Sequence, residues 1–143
     1  MKEVSVFVPS HITGFFNIHD DTTPLQTGSK GAGILLNRGI TTQIKLNPNG
    51  KETEIIINDE CKSENETVIR KTIELMKNEF NFNENFIIIQ KIDVPVGCGF
   101  GTSAASALGV SLALTKLIKL PISPLKAGQY AHIVEVSLGT GLG

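Results

Sequence analysis

Gly97, Gly99 and Gly101 occupy every second position in Val94-Pro95-Val96-Gly97-Cys98-Gly99-Phe100-Gly101-Thr102-Ser103-Ala104-Ala105-Ser106-Ala107. Glycine opens backbone angles closed to other residues and lets a ligand approach the main chain closely. A strand-like run, Phe86 to Ile92, comes before this stretch, and a long apolar segment of small residues follows it. A helix beginning at Thr102 or Ser103 would leave its first N–H groups unpaired and turn its positive dipole end toward the loop. Strand, glycine loop and helix start together make an anion cradle suited to phosphate. Two familiar phosphate loops do not fit. The Walker loop needs Lys just before its Ser or Thr, where this chain has Gly101. The Rossmann fingerprint needs its third glycine three positions after the second, and an acid about 20 residues later. Leu120-Pro121-Ile122 stands in the place of that acid. The Thr102-Ser103 pair points elsewhere, with one hydroxyl capping the helix and the other ligating the magnesium that accompanies nucleotide phosphates. A capped glycine turn with no ligand accounts for the same residues.

A second pair lies on the last helical segment. His132 and Glu135 are three apart and share a helix face, next to an apolar face of Ala131, Val134 and Leu138. Burying an unpaired carboxylate is costly, so a cation such as magnesium is expected beside Glu135. From spacing alone, a surface glutamate remains the alternative. His11, Thr13 and His19 lie in a segment, Ser10 to Lys30, dense in Thr, Asp, His and Gly. Loops of that length usually carry function or are mobile; each of the three could touch a polar substrate or simply be solvated. In Gly28-Ser29-Lys30-Gly31-Ala32-Gly33, Ser29 could donate to a substrate carboxylate or hydroxyl and Lys30 could neutralise it. A plain surface turn is the other reading. Cys98 is either a thiol activated by a dipole-positive loop or an incidental small residue.

Pro95-Val96-Gly97-Cys98-Gly99-Phe100-Gly101-Thr102-Ser103-Ala104-Ala105 closely resembles the central ATP-binding motif of the GHMP kinases, the superfamily of galactokinase, homoserine kinase and mevalonate kinase. Phe100 and Thr102 depart from it, standing where Leu and Ser are usual. Val8-Pro9-Ser10-His11-Ile12-Thr13-Gly14-Phe15-Phe16-Asn17-Ile18-His19-Asp20, the Gly28–Gly33 segment and Gly139-Thr140-Gly141-Leu142-Gly143 look like the pantoate kinase branch found in archaea. Many GHMP kinases carry Lys or Arg near the position of His11.

The resemblance implies an ATP-dependent kinase phosphorylating the terminal hydroxyl of pantoate on the way to coenzyme A. Residues 95, 97–101 and 102–104 (Pro95, Gly97, Cys98, Gly99, Phe100, Gly101, Thr102, Ser103, Ala104) would hold ATP. Ser103 and Glu135 would be the catalytic metal holders for Mg2+, and His11, Thr13, His19, Ser29 and His132 would bind the acceptor. Mevalonate or homoserine as acceptor, or a nucleotide-binding module without catalysis, are the alternatives. In the pantoate kinases an Asp follows immediately after a sequence like Gly139–Gly143, where this chain ends. The expectation is therefore one GHMP kinase N-terminal domain over residues 1–143, lacking the C-terminal domain, with little or no activity alone.

These groups need elements to hold them. Glu3 to Pro9 has strand alternation, with Val4, Val6 and Val8 on one face. Thr41–Asn47 and Lys51–Asn58 are β-rich runs joined by Pro48-Asn49-Gly50, which predicts a hairpin. Ser63 and Glu66 form a capping box ahead of a helical stripe of Ile69, Ile73, Met76 and Phe80. The segment after the glycine loop is apolar on nearly every side through Leu108, Val110, Leu112 and Leu114 and should be buried. Lys116 and Lys119 complement its C-terminal end, Leu120-Pro121 stops it, and Ser123-Pro124 starts the next helix. This order gives an α+β fold, helices stacked on one side of a mixed sheet. It agrees with the GHMP kinase N-terminal domain (ribosomal protein S5 domain 2-like) that the resemblance implies.

The 143 residues, 41% hydrophobic and 19% charged, suit one globular domain. A net charge of -1 gives no electrostatic case for nucleic acid or an anionic membrane. Cys61 and Cys98 make neither a disulfide framework nor a metal cluster. Met1-Lys2-Glu3-Val4-Ser5 does not open a signal peptide, and charges interrupt every apolar run before a bilayer could be spanned, so cytoplasm is expected. Apolar surface left by a missing domain could drive association into a homodimer.

Overall fold

A computed structural model describes residues 3–58 and 65–140. Its sheet is built around β4, Phe86–Ile92, in which Phe86, Ile88, Gln90 and Ile92 are buried while Lys91 is exposed. β2, Gly28–Leu46, lies antiparallel along one edge of β4, pairing Ile40 with Ile92 and Leu46 with Phe86. β3, Glu54–Ile57, runs parallel along the other. β1, Glu3–His19, pairs antiparallel with β2, giving the order β1-β2-β4-β3. The buried positions of all four strands alternate and face one helical layer. There Val8, Ile44 and Ile88 of the sheet join Ile69 and Met76 of α1 (Glu66–Phe80) and Val110 and Leu114 of α2 (Thr102–Leu117) in one core. α3, Pro124–Ser137, packs against α2 and α1. The expected α+β architecture, a mixed sheet with helices on one side, is what forms.

Two expectations are corrected. The Asn-Gly turn exists, with the Gly50 N–H donating to the Asn47 carbonyl at 3.1 Å, but β2 and β3 do not form a hairpin. β4 sits between them. The turn wraps around its start: Asn47 N–H donates to Asn85 O (2.7 Å), Asn85 Nδ2 to Gly50 O (3.0 Å) and Phe86 N–H to Thr53 Oγ1 (3.2 Å). A local turn signal sees only its two flanks, whereas Phe86-Ile87-Ile88-Ile89 gains more by being central, between two partners. The segment Ser10–Lys30 is not an open loop either. β1 continues to His19 and β2 begins at Gly28, so a long two-stranded ribbon extends past the sheet, closed by residues 20–27. Register shifts between Pro9 and His11 and between Thr13 and Phe15 mark two bulges, which obscure strand alternation in the sequence.

The helical readings fare better. α1 buries Ile69, Ile73 and Met76 as its spacing predicts; the Ser63 half of the capping box and Cys61 lie outside the described residues. α3 starts as expected, Ser123 Oγ accepting from the Lys126 N–H at 3.2 Å with Pro124 in the first turn. A left-handed residue follows each helix: Asn81 (φ 54°) is the C-cap of α1, and Lys119 (φ 54°) and Gly139 (φ 71°) come directly after the C-caps of α2 and α3.

Candidate active site

β4 delivers the chain into the glycine loop, and all three glycines take left-handed angles: φ is 73° at Gly97, 78° at Gly99 and 65° at Gly101. Side chains strongly disfavour this region, so the alternating spacing is a backbone requirement. α2 starts at Thr102, behind Gly101 as its N-cap. Neither hydroxyl caps the helix, a correction to the expected Thr or Ser cap: Gly101 provides no side chain, and Thr102 and Ser103 already lie inside the first turn. The first turn also holds no acidic residue, and its first intrahelical bond is Ala105 N–H to Gly101 O at 3.0 Å. The N–H groups of Thr102, Ser103 and Ala104 are therefore left at the positive end of the helix with no acidic residue of their own turn beside them.

A buried polar network sets the height of α2 on the sheet. Gln90 Nε2 donates to Thr42 Oγ1 at 2.9 Å and to the Ser106 carbonyl at 3.3 Å, and Ser106 Oγ donates back to Gln90 Oε1 at 2.6 Å. Its three members are fully buried. Sequence reasoning passed over Gln90; the one available signal was a polar residue at an inward position of an otherwise apolar strand.

Glu135 projects from α3 toward the α2 N-terminus and is only 5% exposed. Ser103 Oγ donates to its Oε1. Thr140 Oγ1 lies 3.0 Å from the same oxygen and 3.3 Å from Ser103 Oγ. No Lys, Arg or His among the described residues forms an ion pair with this carboxylate. A buried carboxylate with only hydroxyl donors among the described residues, and no basic side chain, is under-compensated. The available donors are hard oxygens, which fit a small divalent cation such as magnesium that is also held by phosphate.

The β1–β2 ribbon forms the opposite wall. Beside the first bulge, His11 N–H leaves the strand ladder and donates to Phe100 O at 3.2 Å, and its ring packs directly over Gly101. A cavity of about 320 Å³ lies between these walls. His11, Thr13, Phe16 and Ser29 line it from the ribbon; Gly99, Gly101 and Ala104 from the loop and α2; Glu135 and Thr140 from α3. An adjoining recess of about 200 Å³ along the ribbon shares His11, Thr13, Phe16 and Ser29.

The remaining candidates lie around this centre. His132 Nε2 contacts the Thr27 carbonyl at 2.7 Å and its ring abuts Gly28, so it pins the ribbon to α3 without lining the cavity. The 20–27 connection that it anchors is internally bonded: the Asp21 N–H and Thr27 Oγ1 are 3.1 Å apart, and Thr22 N–H to Asp21 Oδ1 is 2.6 Å. The Thr22 N–H, and to a smaller extent the His19 ring, holds the Asp21 carboxyl below its ordinary range. His19 is exposed, 3.6 Å from Asp21 and outside the cavity lining. Lys30 is exposed opposite Asn17. Thr102 is buried, Cys98 is exposed with its thiol 3.6 Å from Val96 O, and Pro95 and Gly97 are exposed and outside the cavity lining. Thr140 was not singled out from sequence, whereas Gly141, Leu142 and Gly143 lie outside the described residues.

The family model for the GHMP kinases N terminal domain matches residues 67–143. A pantoate kinase of Methanocaldococcus jannaschii is 39% identical over 138 residues, covering 96% of this chain and 47% of that protein. A pantoate kinase of Thermococcus kodakarensis is 33% identical over 142 residues, covering 98% and 47%. A solved structure described as a phosphotransferase related to the CoA biosynthesis pathway superposes with a TM-score of 0.84 at 33% identity, over 99% of this chain and 48% of the other. The chain thus spans about half the length of the curated relatives it matches.

Proposed function

This chain belongs to the GHMP kinases, and from that premise we propose that it binds ATP at the glycine loop for phosphoryl transfer to the terminal hydroxyl of pantoate. The observation that carries the proposal is the buried Glu135 carboxylate, bonded to Ser103 at the uncapped start of α2. Phosphoryl transfer asks a protein mainly for positioning and for neutralisation of charge. The main-chain N–H groups of residues 102–104 and the open backbone of Gly99 are suited to phosphate oxygens. Ser103 and Glu135 would hold magnesium, which when bound draws off charge from the phosphate oxygens. His11, over Gly101, would border the transferred group, near the position where many of these kinases carry Lys or Arg.

The recess along the ribbon suits the acceptor. Thr13 and Ser29 offer hydroxyls to a hydroxy acid, and Phe16 offers an apolar wall to its branched carbon chain. The similarity to pantoate kinases favours pantoate among such acids. His132 supports this wall from behind through Thr27.

Glu135 is the single carboxylate in the cavity lining among the described residues, so binding and transfer are measured separately. Calorimetry on the 143-residue chain with magnesium–ATP, with and without pantoate, tests binding; mevalonate and homoserine serve as competitors. The expected result is magnesium-dependent ATP binding, and pantoate binding that neither competitor displaces. Absence of ATP binding sinks the proposal. ATP binding indifferent to pantoate reduces it to a nucleotide-binding module. Turnover is expected to be slower than that of a full-length pantoate kinase by more than about tenfold, roughly 1.4 kcal/mol in barrier.

A further inference from the structure

α3 ends in a cap whose geometry has a chemical consequence. Leu138 N–H donates to Val134 O, Gly139 N–H to Val136 O (3.1 Å) and Thr140 N–H to Glu135 O (3.0 Å), with Gly139 left-handed at φ 71°. These are the two reversed bonds of a Schellman cap, in which the second residue beyond the helix folds back over the third from its end. Here those two residues are Thr140 and Glu135. The fold-back places Thr140 Oγ1 3.0 Å from Glu135 Oε1, 3.2 Å from the Glu135 carbonyl and 3.3 Å from Ser103 Oγ. Both hydroxyls converge on Oε1, and Oε2 accepts a hydrogen bond from none of the described residues.

We infer that Thr140 is a positioning residue: its hydroxyl fixes the Glu135 carboxylate and the Ser103 hydroxyl in one arrangement for a phosphate-bound divalent cation. The inference rests on the proposed nucleotide site and adds a residue to it. A carboxylate on a helix side chain has free torsions, and a buried one left to rotate would present its second oxygen in several directions. Fixing Oε1 from two sides removes that freedom. Groups that orient metal ligands in this way typically account for 10–100-fold in metal affinity. The cap couples this function to the backbone, because the position of the hydroxyl depends on the left-handed angle at Gly139. Apart from its chain neighbours, none of the described residues stands within 4 Å of a Cβ at Gly139, so among them a substitution there acts through the backbone.

The test is calorimetric titration of wild type, Thr140→Val and Thr140→Ser with adenylyl imidodiphosphate, a non-hydrolysable ATP analogue, with and without Mg2+. Thr140→Val keeps the side-chain shape and removes the hydroxyl; thermal melting and circular dichroism verify the fold of each variant. Thr140→Val is expected to weaken binding of the magnesium–nucleotide by about tenfold or more, to leave metal-free nucleotide binding within about twofold, and to be rescued by Thr140→Ser. Gly139→Ala should reproduce the magnesium-specific loss with the hydroxyl still present. Unchanged magnesium-dependent binding in Thr140→Val overturns the inference, as does an equal loss with and without metal. If wild type binds nucleotide with no response to Mg2+, the assignment of Ser103 and Glu135 as metal holders fails first and takes the role of Thr140 with it. If wild type binds no nucleotide at all, the proposed function itself fails.

Discussion

Gly99 and Gly101 share a left-handed backbone but not a neighbourhood. Apart from its chain neighbours, a Cβ at Gly99 would meet none of the described residues within 4 Å, whereas one at Gly101 would run into the His11 ring. Gly99→Ala should therefore cost only backbone strain, about 1–2 kcal/mol, whereas Gly101→Ala should cost more and also displace His11. Chemical denaturation of the two variants measures the difference; equal losses would show that the His11 ring yields freely. Ser10 gives the opposite case. Its hydroxyl is fully buried at the first bulge and has no partner among the described residues, and an unsatisfied buried hydroxyl is destabilising. Ser10→Ala should raise the unfolding free energy by about 1 kcal/mol, read as a higher denaturation midpoint. A lower midpoint would mean that an ordered water serves the hydroxyl. At this scale the sequence was informative where residue type alone dictates backbone, as in the glycine loop. It was silent on Thr140, because a threonine beyond a helix end acquires its partners only when the cap folds it back.

Among the elements, helix ends decide several outcomes. The three left-handed caps are held by Asn81, Lys119 and Gly139, of which only glycine takes that region without strain, with asparagine tolerated better than most. Lys119 is the misfit. Leu120 N–H donates to Thr115 O at 2.9 Å, closing the end of α2 as Thr140 closes that of α3. Lys119→Gly should stabilise the protein by about 0.5–1 kcal/mol, relief of strain less the entropy of the added glycine, seen as a higher urea midpoint with an unchanged slope; no gain would mean that the Lys119 side chain compensates elsewhere. Helices were legible because their periodicity and stop signals are local: Ile69, Ile73 and Met76 are enough for α1, and Ser123-Pro124 for the start of α3. The Asn-Gly turn was read correctly as a turn and wrongly as a hairpin, since which strand fills the neighbouring slot depends on residues 86–92, far along the chain. The ribbon beyond Pro9 escaped notice for a related reason. Its bulges break alternation, and Ile12, Phe15, Ile34 and Leu35 are all exposed, so no face shows a burial pattern.

For the whole molecule, stability at high pH depends on contact between helices. Tyr130 of α3 is 5% exposed, packs edge-on against Phe80 at 5.4 Å and donates to Glu79 Oε1 at 3.1 Å. Burial, and then the hydrogen bond and charge of Glu79, raise its pKa above 10.0. The folded state thus holds the phenol proton more tightly than the unfolded chain does. That contribution is complete below the unfolded value near 10 and is lost as pH rises through the higher folded value. Tyr130→Phe should cost about 1 kcal/mol at neutral pH and flatten the decline of unfolding free energy above pH 10; an alkaline limb as steep as wild type would assign that decline to other groups. The α+β class and the one-sided helical layer were readable from the order of elements, because each must cover the apolar face of another. The strand order β1-β2-β4-β3 was not, and it imposes a timetable on synthesis. β4 occupies the slot beside β2, so β2 keeps an open edge while residues 47–85 are being translated. At ~5–20 residues per second that wait lasts roughly 2–8 s on the ribosome, during which the nascent β1–β2 ribbon must hold its register with no third strand and no α2 beneath it.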